Sequence, residues 1–186
     1  MRLLTSYFNY MKNPSGRWED MFDHSSVGQA LFGYLTATLG WVILFNIGDG
    51  LSLFSLLAKL SIVFLAEVTV GYFMASLTGM FLSWNEKTVS SFHLFVLIGT
   101  AGFIKGLLIA WALICALLNT HLGGYTSLVL FLVFLLQFFY LVRGLKQLTS
   151  LSTIGAVGAW FAGIVPVGIL LFLLGIFGIW GLALLF

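Results

Sequence analysis

Between Ala58 and Gly106 the chain carries two long apolar runs, and three ionisable side chains stand inside them: Lys59, Glu67 and Lys105. The runs meet at a short polar turn, Ser83-Trp84-Asn85-Glu86-Lys87-Thr88. Apolar runs of about 20 residues span a bilayer as helices. A charge placed in hydrocarbon is costly unless it is paired, solvated or able to snorkel. Any fold this chain adopts must therefore satisfy those three residues, and that requirement says more than the many apolar positions around them.

Composition agrees. Of 186 residues, 61% are hydrophobic and only 8% charged, with a mean hydropathy of +1.11. A soluble domain carries about 25% charged residues, so this chain has too few to cover a water-facing surface. The alternation of a membrane β-barrel is missing. The class predicted is all-α: a polytopic membrane bundle of five transmembrane helices, with the lipid bilayer as its first partner. A net charge of +2 gives no argument for nucleic acid. Cys115 is the only cysteine, so no intrachain disulfide forms. His24, His93 and His121 are far apart and match no metal spacing, so no metal or cofactor is expected.

An arm over 1–26 precedes a membrane domain over 27–186. Its start is not followed by an apolar core, so it does not read as a secretory signal. Leu3, Leu4, Tyr7, Phe8 and Met11 fall near one helical face, and Asn13-Pro14-Ser15-Gly16 interrupts it. Trp18, Met21 and Phe22 then recur at helical spacing, with Trp18 as an interfacial anchor. Spans are predicted at about 27–47, 60–82, 100–118, 126–142 and 153–175. The run 51–83 would reach roughly 50 Å as one upright helix, against a hydrocarbon core of about 30 Å. Residues 51–58 are therefore read as an interfacial lead-in to the second span. The start of span three has two readings. Gly99, Gly102 and Gly106 either lie within a continuous helix or break it, leaving Phe92 to Ile98 as a separate inner helix. Pro166 predicts a kink in span five. Residues 176–186 overshoot that span and either prolong a tilted helix or lie in the interface.

Orientation follows from the basic residues. Arg2, Lys12 and Arg17 lie in the arm, Lys87 in the turn after span two, and Arg143 and Lys146 in the turn after span four. With five spans all of these fall on one face, opposite turns that hold Asp49 and His121. The positive-inside rule places the N-terminus in the cytoplasm and the C-terminus outside.

Small residues recur at helical spacing: Gly71, Ala75 and Gly79 on span two, Gly102 and Gly106 on span three, and Gly155, Ala159 and Gly163 on span five. Such stripes let helix backbones approach closely where lipid supplies no hydrophobic drive. They read as internal packing, with a homo-oligomer or membrane-protein partner face as the alternative. Glu67 lies 17 residues before Trp84, and Lys105 lies 14 residues after Ser91. In antiparallel neighbours the two reach similar depth and can pair, provided span three is continuous. If it breaks near Gly102, Lys105 snorkels instead. Lys59 is expected to snorkel towards Asp49. Gln137 and Asn46 either join these groups or make separate helix-to-helix hydrogen bonds. Glu67, Lys105, Lys59 and Gln137 thus form a candidate intramembrane polar site, read either as structural ion pairing or as a path for an ion, proton or lipid headgroup. No catalytic motif is present, and no enzyme is expected.

Four features resemble the Yip family, the Ypt/Rab-interacting membrane proteins, in its short prokaryotic form. They are the amphipathic Gly16-Arg17-Trp18-Glu19-Asp20-Met21-Phe22 after a proline, and Thr88-Val89-Ser90-Ser91-Phe92 leading to Gly99-Thr100-Ala101. The others are the basic Leu141-Val142-Arg143-Gly144-Leu145-Lys146 followed by Ser150-Leu151-Ser152, and the interior Val165-Pro166. The chain differs in having Ile104-Lys105 where the family often has a proline, and Asn85-Glu86 where a glycine pair is usual. The resemblance implies a five-span, N-inside protein that organises or shapes membrane or scaffolds partners. The short arm, without the family's acidic-aromatic signature, implies a prokaryotic inner-membrane member; a eukaryotic one would sit in ER or Golgi membrane. The alternative is a conduit for a small solute, ion or lipid through Glu67 and Lys105.

Overall fold

A computed structural model describes residues 25–46, 52–118 and 123–183. The arm with Trp18, together with Asp49, His24 and His121, lies outside the described residues. Six α-helices follow in order: α1 (Ser25–Phe45), α2 (Leu53–Trp84), α3 (Ser91–Ala101), α4 (Leu107–Leu118), α5 (Gly123–Thr149) and α6 (Thr153–Ala183). A 3₁₀ segment, Gly102–Gly106, joins α3 to α4 without a break, so the two make one span, Ser91–Leu118. The described residues hold no strand, and they include five helices long and apolar enough to cross a membrane. It is a multi-pass membrane protein.

Helix ends are set by local chemistry. Ser52, Ser90 and Ser152 cap α2, α3 and α6, each hydroxyl accepting an amide of the first turn at 3.2 Å. The α2 helix ends in a Schellman arrangement: the Lys87 amide donates to Leu82 O at 3.0 Å and the Glu86 amide to Ser83 O at 3.1 Å. Its left-handed position, normally glycine, is held by Glu86 at φ 58°. The turn after α5 is shorter than its composition predicts. Arg143 and Lys146 lie on the last turns of the helix rather than in a loop, and only 150–152 separate α5 from α6. Basic side chains at a helix C-terminus oppose the negative end of its dipole, which favours continuing the helix to Thr149. Residues 53–58 are likewise helical and continuous with the second span, giving a helix of 32 residues. The α6 helix runs through Pro166.

Among the described residues the bundle has two hydrophobic cores, at opposite ends. Near the α2–α3 turn, Ala75, Leu82, Leu94, Leu97, Leu141, Leu145 and Ala159 join α2, α3, α5 and α6. At the other end, Leu44, Ile104, Leu108, Ala112 and Val133 join α1, the 3₁₀ segment, α4 and α5. Trp111 Nε1 donates to Thr126 Oγ1 at 3.1 Å and ties α4 to α5. Large apolar side chains cover the outside, among them Phe54, Ile62, Leu65, Leu117, Phe131 and Phe172, all more than half exposed. A patch of this extent suits lipid and not water.

The closest packing joins α1 to the interrupted span. Ala30, Gly33, Ala37 and Gly40 form a buried stripe along α1. A Cβ at Gly33 would overlap the Gly99 carbonyl oxygen, and one at Gly102 would lie 2.8 Å from Gly33 O. The two backbones therefore touch, and only residues lacking a side chain permit it.

Candidate intramembrane polar site

Three elements build the site. From α2, Glu67 projects on the face shared with Gly71, Met74 and Thr78, one and more turns away. From the 3₁₀ segment comes Lys105, and from α1 comes Trp41. Lys105 Nζ lies 2.7 Å from Glu67 Oε1 and 2.9 Å from Oε2, an ion pair bridging both oxygens. Trp41 Nε1 donates to Glu67 Oε1 at 2.8 Å. The same ammonium lies 5.8 Å from the centre of the Trp41 ring, within cation–π range. Trp41 also stacks on Phe45 and tilts against Phe134 of α5. The carboxylate thus takes charge-assisted bonds from two directions, which lowers the penalty of holding it away from water.

The continuous reading of span three is the one that places Lys105. Had the chain broken between α3 and α4, the side chain would not have been carried to the depth of Glu67. The 3₁₀ turn keeps the span continuous while altering its rotation.

Asp49, the partner predicted for Lys59, lies outside the described residues, and Lys59 meets a partner at the end of α1. Its Nζ donates to Asn46 Oδ1, and Asn46 Nδ2 in turn donates to Val42 O at 2.7 Å. Lys59 and Glu67 lie on one face of α2, about 12 Å apart along its axis. They make two polar rungs to α1. Gln137 does not join them: it is half-buried on α5, and none of the described hydrogen bonds links it to Glu67, Lys105 or Lys59. The four residues therefore resolve into an ion pair, a separate lysine–asparagine contact and a glutamine that joins neither among the described residues.

Of the small residues, Gly71 faces the Tyr34 ring, Gly79 faces Ser91, Gly102 faces Gly33 and Gly106 faces Thr36. Ala75 and Ala159 are buried in the first core. Gly163 faces Thr78 and Met74 O, whereas Gly155 faces Leu151 and Ser152 at its own cap. Two participants escaped the sequence. Trp41 and Tyr34 look like ordinary aromatic residues of a span, yet Trp41 completes the site and Tyr34 is 2% exposed. The Tyr34 hydroxyl donates to Phe95 O at 3.3 Å, and its ring lies against Phe95 with centroids 5.2 Å apart. The α1 stripe of small residues was the available signal, since it marks the face on which Tyr34 and Trp41 flank the contact. Among the described residues no group of three or more His, Cys, Asp or Glu is placed to hold a metal ion.

No protein-family model matches this chain, and no curated protein or solved structure matches it.

Proposed function

We propose that this is a non-enzymatic protein of Yip type that organises or shapes its membrane or scaffolds partners there, with the Glu67–Lys105–Trp41 cluster as its internal brace. One observation carries the reading. The two opposite charges satisfy each other across both carboxylate oxygens, and an indole takes up further acceptor capacity. A site built to grip a charged substrate would leave one of them to the substrate. The work then falls to the outer faces and to the amphipathic arm, whose Trp18, Met21 and Phe22 suit insertion as an interfacial wedge. The basic residues favour a cytoplasmic arm with the C-terminus outside, and the Yip resemblance is what suggests a prokaryotic inner membrane.

The test is reconstitution into liposomes with size and shape followed by electron microscopy. Wild-type protein is expected to narrow or tubulate vesicles at high protein-to-lipid ratio, and a variant lacking 1–24 is expected to lose the effect while keeping its helical spectrum. Unchanged vesicles with wild-type protein would remove the membrane-shaping reading.

A second reading has a specific observation behind it. Lys105 and Glu67 retain 12% and 17% side-chain exposure, so the pair is not sealed. A conduit for ions, protons or lipid headgroups would use that opening. Flux across proteoliposomes above background, lost in both Glu67→Gln and Lys105→Met, would favour it over the brace.

A further inference from the structure

The 3₁₀ segment is unusual in its length, its place and its contents. Runs of this helix beyond three or four residues are uncommon, because its hydrogen bonds are poorly aligned, and inside a helix such a run often marks a hinge. Here five residues are overwound, in the middle of a span, with α-helix on either side. The Leu107 amide still reaches back three residues, to Ile104 O. The segment holds Lys105, whose side chain is drawn to Glu67 on another helix.

We propose that Gly102–Gly106 is a two-state coupling, held overwound by the Lys105–Glu67 ion pair, and that loss of the pair lets it relax to α-helix and turn α4 against α3. The geometry sets the size of the motion. A 3₁₀ helix advances about 120° and 2.0 Å per residue, an α-helix about 100° and 1.5 Å. Rewinding five residues turns α4 by about 100° and draws it in by about 2.5 Å. Lys105 is the fourth of the five, so it is turned by about 80° away from Glu67, and the α-helical form works against the pair. The buried stripe of α4, Leu108, Ala112 and Cys115, would leave the α1 and α5 contact and the second core would repack. The α1 contacts are the competing restraint: a Cβ at Gly40 would lie 2.5 Å from Lys105 O, so backbone packing also opposes rotation. The proposal is that the charge, and not this packing, decides.

Paired spin labels test it. Phe54 and Leu117 are 84% and 85% exposed and lie at the same end of the bundle. With Cys115→Ala as background, labels at these two positions report the rotation of α4 by double electron–electron resonance in proteoliposomes. Glu67→Gln is expected to shift the distance distribution by up to about 9 Å, the chord of that turn on a helix of about 6 Å radius. Glu67→Asp, one methylene shorter, is the milder break and is expected to populate the shifted distance in part. Lys105→Arg keeps a bidentate pair and is expected to retain the wild-type distance. If every folded variant that breaks the pair keeps the wild-type distribution, the packing alone holds the segment and the coupling is refuted. A shift in Lys105→Arg as large as that in Glu67→Gln would refute it equally, by uncoupling rotation from charge.

Discussion

Lys105 and Glu67 stand 38 residues apart in the chain and 2.7 Å apart in space, joining the overwound turn of one span to the middle of another. Removing one member leaves the other without its ion-pair partner in a medium of low dielectric constant. Glu67→Gln and Lys105→Met are each expected to lower stability by about 3 kcal/mol, the low end for unpairing a buried ion because both groups keep some exposure. The double variant is expected to recover much of that loss, since no lone charge remains. Unfolding in mixed micelles by sodium dodecyl sulfate titration measures all three. Additive losses would show that the two side chains are not coupled.

Two indoles in the bundle differ in their polar end. Trp41 Nε1 donates to the Glu67 carboxylate, whereas Trp160 Nε1 is buried among Phe138 and Phe161 with no hydrogen-bond partner among the described residues. Trp41→Phe removes a bond to a charged group and is expected to cost about 1.5–3 kcal/mol. Trp160→Phe removes an unsatisfied donor and keeps most of the aromatic contact, so its loss is expected to be about 1 kcal/mol or less. The same titration ranks them, and equal losses would deny the Trp41–Glu67 bond an energetic role.

Glycines in two different helices, Gly33 of α1 and Gly158 of α6, are predicted to respond in opposite directions. At Gly33 a new Cβ meets backbone, the Gly99 carbonyl, which has no rotamer to escape into. Gly33→Ala is therefore expected to separate α1 from α3 and to destabilise by about 2–4 kcal/mol, as overpacking against main chain does. At Gly158 no described residue outside the local helix backbone comes within 4 Å of where a Cβ would stand. Gly158→Ala is expected to be neutral or stabilising by up to about 1 kcal/mol through helix propensity. Melting followed by circular dichroism in detergent separates the two.

The turn between α2 and α3 carries its own strain. Glu86 occupies the left-handed position of the Schellman turn at φ 58°. A residue with a Cβ pays about 1 kcal/mol there. Glu86→Gly is expected to raise stability by about that amount with no change in helix content. A loss would mean that the carboxylate makes a compensating contact in the membrane-bound protein.

What the sequence determined by itself was the solvent and the number of crossings. Hydrocarbon accepts no unpaired backbone group, so long apolar runs become helices whatever their neighbours, and the run lengths and polar turns of this chain count out five. Depth was also legible: Glu67 and Lys105 could be matched by counting from a shared turn. Rotation was not. Whether Lys105 faces Glu67 depends on how tightly five residues wind, a difference of about 20° per residue that composition does not encode. The tertiary structure decided that winding, and it also set the contact of Lys59 with Asn46, the separation of Gln137 from Glu67 and Lys105, and the recruitment of Trp41. The physical reason is the same in each case. Span formation is a local response to lipid, whereas side-chain partnership needs two helices to agree on a face, and here the bare backbones of Gly33, Gly99 and Gly102 bring those faces into contact.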